Sequence, residues 1–235
     1  MKTKCLAVFS LLILLTAPAL GQEVAARILA TYGGLGVLHH ASRFEITGHI
    51  GGESLGEVFT LKVSGESSRF ETPHFQAIRN GRFAQGGPAD RALPKARRSA
   101  IGLDQPMILP LALIARLAEP SFKSAGLADG VYVFEGAVER TGFIGYSPPP
   151  IRVELAFDEK TLLLKSATFT CVDDATLNLS MTYDDYAEVE GIPVASTVTR
   201  WNGDKPMYVL RIDTVDLNPK FSDDDVQLVG KGGRQ

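Results

Sequence analysis

The feature that most constrains this chain is a period-two alternation that recurs in segment after segment. Ile151, Val153, Leu155 and Phe157 are separated by Arg152, Glu154 and Ala156, and Leu177, Leu179, Met181 and Tyr183 by Asn178, Ser180 and Thr182. Successive side chains of a strand point to opposite faces, so each such run predicts a strand with one apolar and one wet face. Phe44, Ile46 and Ile50 alternate with Glu45, Thr47 and His49, and after a turn at 51–56 the run Phe59, Leu61, Val63 repeats the pattern, as in a hairpin. Further strands are expected at 69–71, 75–79, 82–85, 131–138, 162–170, 194–201 and 207–215, with reversals at Asn80-Gly81, Asp158-Glu159-Lys160 and Gly203-Asp204. No strand and helix alternate in the manner of a parallel doubly wound sheet.

Two segments break the pattern. Residues 23–41 carry Val24, Ile28, Leu29, Leu35 and Leu38 at helical steps, with Gly33, Gly34 and Gly36 predicting either a break near Gly33 or a close packing contact there. Residues 110–118 read as a second helix, with Pro110 in its first turn and Pro120 stopping it. Leu111, Ile114 and Ala115 share one face and Leu113 and Leu117 a neighbouring one, so this helix is apolar nearly all round and must be covered. The polar, basic and proline-containing stretch 86–105 before it reads as a surface loop. One-sided strands in this number need their apolar face covered, and two helices suffice only if the sheet curls round them. The expected fold is mainly β with helices (α+β), a strongly curved antiparallel sheet lidded by helices.

The start of the chain is an address. Met1 to Lys4 is positive, Leu6 to Leu15 apolar, and Ala17, Pro18, Ala19, Leu20, Gly21 small-residue in character, the three parts of a secretory signal. We expect a signal peptide at 1–21, cleaved after Gly21, and a single domain at 22–235 that is periplasmic or secreted and soluble. The residue after Gly21 is Gln22, which offers no thiol for acyl anchoring, and after processing Cys171 alone remains, so no internal disulfide is available. Loss of Lys2 and Lys4 leaves 22 basic against 27 acidic residues, a formal charge of −5 that argues against nucleic acid as a partner.

Catalytic patterns fail on context. Gly52-Glu53-Ser54-Leu55-Gly56 spells a nucleophile elbow, but that elbow joins a strand to a helix and Glu57 onward reads as another strand. His39, His40, His49 and His74 lack metal-ligand spacing, and the pairs and triple at Asp173-Asp174, Asp184-Asp185 and Asp223-Asp224-Asp225 read as solvated turns. No catalytic residue, metal or cofactor is expected. Arg91, Lys95, Arg97 and Arg98 are the most asymmetric charge feature, either a solvated loop or an anion-seeking lip for lipid head groups or an acidic partner.

Several stretches resemble the periplasmic lipoprotein carriers of the LolA family and the related outer-membrane lipoprotein-sorting proteins. They are the N-terminal helix running into Gly33-Gly34-Leu35-Gly36, then Leu38, Ser42, Gly48 and the Ile78-Arg79-Asn80-Gly81 turn. Near the end follow Tyr183-Asp184-Asp185-Tyr186, Glu190-Gly191-Ile192-Pro193-Val194, Ile212-Asp213, Val215, Leu217-Asn218-Pro219 and Ser222-Asp223-Asp224-Asp225. The resemblance implies an incomplete β-barrel whose concave apolar face is lidded by helices and receives acyl chains. It also implies an early-strand arginine that holds the lid, for which Arg69 is the nearest match.

The expected function is therefore a non-enzymatic carrier holding a lipid or lipoprotein acyl chain between sheet and lid. Phe44, Ile46, Phe59, Leu61, Val153, Leu155 and Phe157 would line the sheet side and Leu111 and Ile114 the lid, unless the same residues close a dry core. The alternative is a periplasmic signalling or interaction module of the same fold that binds a membrane-associated protein partner.

Overall fold

The computed structural model describes residues 21–51, 56–80, 83–88, 105, 107–138, 150–171 and 178–226. Among them twelve strands form one sheet. The first five are β1 (Arg43–Gly51), β2 (Glu57–Ser64), β3 (Ser67–Thr72), β4 (Phe75–Asn80) and β5 (Phe83–Pro88). The rest are β6 (Lys123–Ala128), β7 (Val131–Val138), β8 (Ile151–Asp158), β9 (Leu164–Thr170), β10 (Leu179–Val189), β11 (Ile192–Asn202) and β12 (Lys205–Asp216). The order is β5-β4-β3-β2-β1-β12-β11-β10-β9-β8-β7-β6, with β1 antiparallel to β12. The first and last strands thus meet in the middle of the sheet. β5 and β6 are its two edges, and the segment that joins them carries the lid.

A flat sheet of this many strands would be roughly 50 Å across. Yet Phe70 of β3 and Phe134 of β7, near opposite edges, belong to one buried cluster together with helical residues. The sheet therefore curls, with its apolar face inward. Aromatic rings fill both wings: Phe59 stacks on Phe70 at 5.1 Å, and Phe134 meets Phe157 edge-on at 6.0 Å. Gly48 sits at a register shift in β1, where a Cβ would lie 2.1 Å from the Arg211 carbonyl oxygen, so only glycine permits the β1–β12 approach.

The helices follow the sequence with one change of phase. The first, α1, covers 21–31 and buries Val24, Ala25, Ile28 and Leu29 on one face. It ends at Gly33 and Gly34, with φ of 84° and 85°, a left-handed conformation that glycine adopts without strain. The chain then re-enters a helix, α2 (Gly34–His40). That restart buries Leu38 and leaves Leu35 38% exposed, which corrects the expectation that both face the core. The third, α3 (Leu111–Ala115), runs on as a 3-10 turn Arg116–Ala118. Leu111, Leu113, Ile114, Ala115 and Leu117 are all buried, as an all-round apolar helix requires.

Three further expectations need correction. Residues 86–88 belong to β5, and Gln105, read as the end of a surface loop, is fully buried. β6 had no signal, because its residues are exposed on both faces and carry no alternation. Asp184 and Asp185 lie inside β10 rather than in a turn, and Asp185 accepts the Thr197 hydroxyl at 2.9 Å. Asp223 to Asp225 do turn, as a 3-10 segment laid on the outer face of β2 to β4.

Candidate ligand cavity

The nine residues expected to line a cavity are brought together, and none is more than 4% exposed. Phe44, Ile46, Phe59, Leu61, Val153, Leu155 and Phe157 all project from the concave face, and Leu111 and Ile114 reach down from α3. Leu111 and Ile114 border a space of about 10 Å³, enclosed with Tyr32, Tyr183, Tyr186 and Val194. That is room for about one water. Beneath the middle of the lid, the sheet and helix are in contact.

Buried hydrogen bonds fix the lid there. Tyr183 of β10 donates to the Met107 carbonyl at 2.8 Å. Gln105 accepts from Ser68 Oγ of β3 at 2.5 Å and donates to the Ala77 carbonyl of β4 at 3.1 Å. The segment entering α3 is thus pinned to both wings of the sheet. Beside it Tyr32 accepts the Leu164 N–H at 3.0 Å, and Tyr186 donates to the Leu164 carbonyl at 2.6 Å. Burial pushes both phenols above the ordinary tyrosine range, and for Tyr186 the neighbouring Tyr32 adds to the rise.

A larger space opens at the other end of the lid. It measures about 730 Å³ and lies between α1, the end of the lid and the β6–β7 hairpin. Ala25, Ala26 and Leu29 of α1 form one wall, Leu117, Ala118 and Pro120 a second, and Phe122 and Phe134 a third. Its size has local causes. Small residues Gly21, Ala25, Ala26, Ala118 and Ser124 face it, and Phe122 lies so close over Gly136 of β7 that a Cβ there would be 2.7 Å from the ring. Glycine at 136 lets the ring settle against the strand.

Four polar residues, Gln22, Glu119, Lys123 and Ser124, border the space. Glu119 is held by Arg116, whose Nε lies 3.1 Å from both carboxylate oxygens and whose Nη2 is 3.0 Å from one, and by Ser121. The Arg116 hydrogen bonds hold this carboxyl below its ordinary range. The same guanidinium lies 5.5 Å from the centre of the Phe122 ring. A third space, about 300 Å³, lies between α2 and the β10–β11 turn, bordered by Val37, His40, Glu190, Ile192 and Leu217.

Arg69 does not face the lid. It bonds Glu71 at 2.7 Å and the Asp225 carbonyl at 3.3 Å on the outer face, because Ser68 and Phe70 take the inward positions of β3. There it ties down the C-terminal 3-10 turn. Arg43 does likewise, lying 4.6 Å over the Phe221 ring and 2.9 Å from Asp223. Arg91, Lys95, Arg97 and Arg98 lie outside the described residues, as does Ser54, but Glu57 after the elbow pattern does enter a strand. His49 pairs with Asp213 at 2.9 Å, and His74 stands 3.9 Å from Glu57. Among the described residues no group of three or more histidines, cysteines or acids could hold a metal ion. No described helix is long and apolar enough to cross a membrane.

No family model matches this chain, and no curated protein matches it in sequence. Solved structures do resemble it. A DUF1329 family protein from Desulfovibrio piger superposes with a TM-score of 0.50 at 13% identity, covering 90% of this chain and 98% of that one. A LolA superfamily protein from Nitrosomonas europaea has a TM-score of 0.43 at 13% identity, covering 86% and 97%. A putative outer membrane lipoprotein-sorting protein domain from Vibrio parahaemolyticus has 0.44 at 13%, covering 89% and 97%. The likeness is one of fold. The DUF1329 family protein and this chain share a fold over most of both chains.

Proposed function

We propose that this chain is an exported, non-enzymatic binding protein that holds the acyl chain of a lipid or lipoprotein in the 730 Å³ space between α1, the end of the lid and the β6–β7 hairpin. The observation that carries the reading is that space: apolar walls, polar groups at the border, and a volume within the roughly 300–1,000 Å³ of small-molecule sites. Affinity would come from burying methylenes, about 0.8 kcal/mol each, so discrimination between chain lengths would be modest. The buried residues Phe44, Ile46, Phe59, Leu61, Val153, Leu155 and Phe157, with Leu111 and Ile114, form the wall a longer chain would reach once α3 lifts.

The test is native mass spectrometry with lipid extraction on protein purified from its own compartment. It is paired with displacement of a neutral apolar fluorophore from the wild type and from Leu29→Trp, which fills the space. A co-purifying acyl species, and probe binding lost in Leu29→Trp, are the expected results. An empty protein whose probe binding ignores Leu29→Trp would refute the reading. It would leave the interaction-module alternative, which the exposed Leu35 and Val37 beside the 300 Å³ groove favour.

A further inference from the structure

Resting on the reading that an acyl chain occupies the 730 Å³ space, we infer that its ligand is a single-chain amphiphile with an anionic head, carboxylate or phosphate, seated at Lys123. Two charged residues line this space, Glu119 and Lys123, and Arg116 stands behind the first. Arg116 and Glu119 cancel one another in a doubly contacted pair, and Ser121 takes up Glu119 further. Lys123 has no hydrogen bond or ion pair among the described residues. Its cross-strand neighbour is Glu135, yet the two make no ion pair, although both are exposed. Of the two charges that line the space, that of Lys123 is therefore the one without a partner in contact.

Position supports the assignment. Lys123 pairs with Glu135 on the face opposite to Ser124 and Phe134, but β6 is the edge of the sheet, so its long side chain reaches the mouth round that edge. Ser124, next in sequence and opposite Phe134, offers a hydroxyl on the inner side. A head group here would meet a cation and a hydroxyl while its chain runs toward Leu29 and Phe134. A cationic head would meet uncompensated repulsion, and a neutral alcohol would forgo the charge. One chain rather than two is implied by the size of the space, about 730 Å³, that of a single small-molecule site.

The test uses dodecanoate, dodecanol and dodecyltrimethylammonium, each below its micellar concentration, as competitors for the neutral fluorophore. For the wild type, dodecanoate should displace at about three- to fivefold lower concentration than dodecanol, the factor an exposed ion pair supplies, and dodecyltrimethylammonium should be weakest. Raising the salt should shrink the ratio. Lys123→Glu should invert the order of the two ions and Lys123→Met should level it, while Lys205→Glu, at the start of β12 and six strands from β6 in the sheet order, should change nothing. Equal displacement by dodecanoate and dodecanol, or an unchanged order in Lys123→Glu, overturns the anionic head while leaving the acyl-chain reading intact. No displacement by any competitor overturns both.

Discussion

Beneath the middle of α3, Leu111 and Ile114 press on the sheet and leave about 10 Å³; a few residues further along the same lid, Leu117 and Ala118 border about 730 Å³. Both places are walled by apolar side chains, so hydrophobicity does not distinguish them. What differs is side-chain size and anchoring. In the middle, branched and aromatic residues from both wings interlock, and Tyr183 and Gln105 hold the entering backbone. At the far end five of the thirteen facing residues are alanine, glycine or serine, and the lid is stopped by Pro120 before it can close on β6. One end serves the fold and the other is free to serve a ligand.

The sharpest way to break that contrast is to hollow out the middle. Leu111→Ala removes a side chain that is 1% exposed and borders the 10 Å³ gap, and should cost about 2–5 kcal/mol in urea unfolding. A cost below about 1 kcal/mol would mean that the middle is as loose as the end. Next comes overfilling. Ala167→Leu, at a 0% exposed position between Leu155 and Met181, should destabilise by about 1–3 kcal/mol. Ala25→Leu, which points a larger side chain at the open space, should leave the unfolding midpoint nearly unchanged and weaken fluorophore binding. Comparable losses at both positions would abolish the distinction.

A smaller effect isolates the anchoring. Tyr183→Phe deletes the hydroxyl that reaches the Met107 carbonyl and should cost about 1 kcal/mol. Hydrogen exchange should quicken at 107–118 and stay as it is in β1 and β12. The buried tyrosines add a pH signature. Tyr32 and Tyr186 have folded-state pKa values above those of the unfolded chain, so the stability they confer is complete below about pH 10 and declines as pH rises past it. Tyrosinate absorbance should therefore appear for these two only as the protein unfolds in alkali; their ionisation in the folded state near pH 10 would show an open middle.

The packed middle is legible in the sequence and the open end is not, for a physical reason. Alternation marks which face of a strand is apolar, so Phe44, Ile46, Leu61, Leu155 and Phe157 announce themselves, and the left-handed glycines at 33 and 34 announce the helix break. A cavity is made by what is absent. Ala25, Ala26 and Ser124 are unremarkable in a sequence, and the approach of Phe122 to Gly136 joins residues no local pattern connects. β6 escaped because an exposed edge strand has no face to alternate. The outer face misled in the opposite direction. Ile78, on the side that reads as wet, is 7% exposed, and Arg69 serves the C-terminal turn that lies on that face, because residues 221–226 return over β2 to β4.

The smallest effect expected lies at the open end and concerns Glu119. Its exposed pair with Arg116 should contribute less than about 1 kcal/mol, so Glu119→Gln should barely move the urea midpoint. Because this carboxyl is held below its ordinary range, the contribution is present above about pH 4.5 and fades as pH falls through the lowered value. The informative readout is binding. Freeing Arg116 from its partner adds a second uncompensated cation to the border, so Glu119→Gln should improve displacement by dodecanoate relative to dodecanol. A Glu119→Gln protein whose selectivity is unchanged would mean that Arg116, held over the Phe122 ring, serves only to close the wall of the cavity.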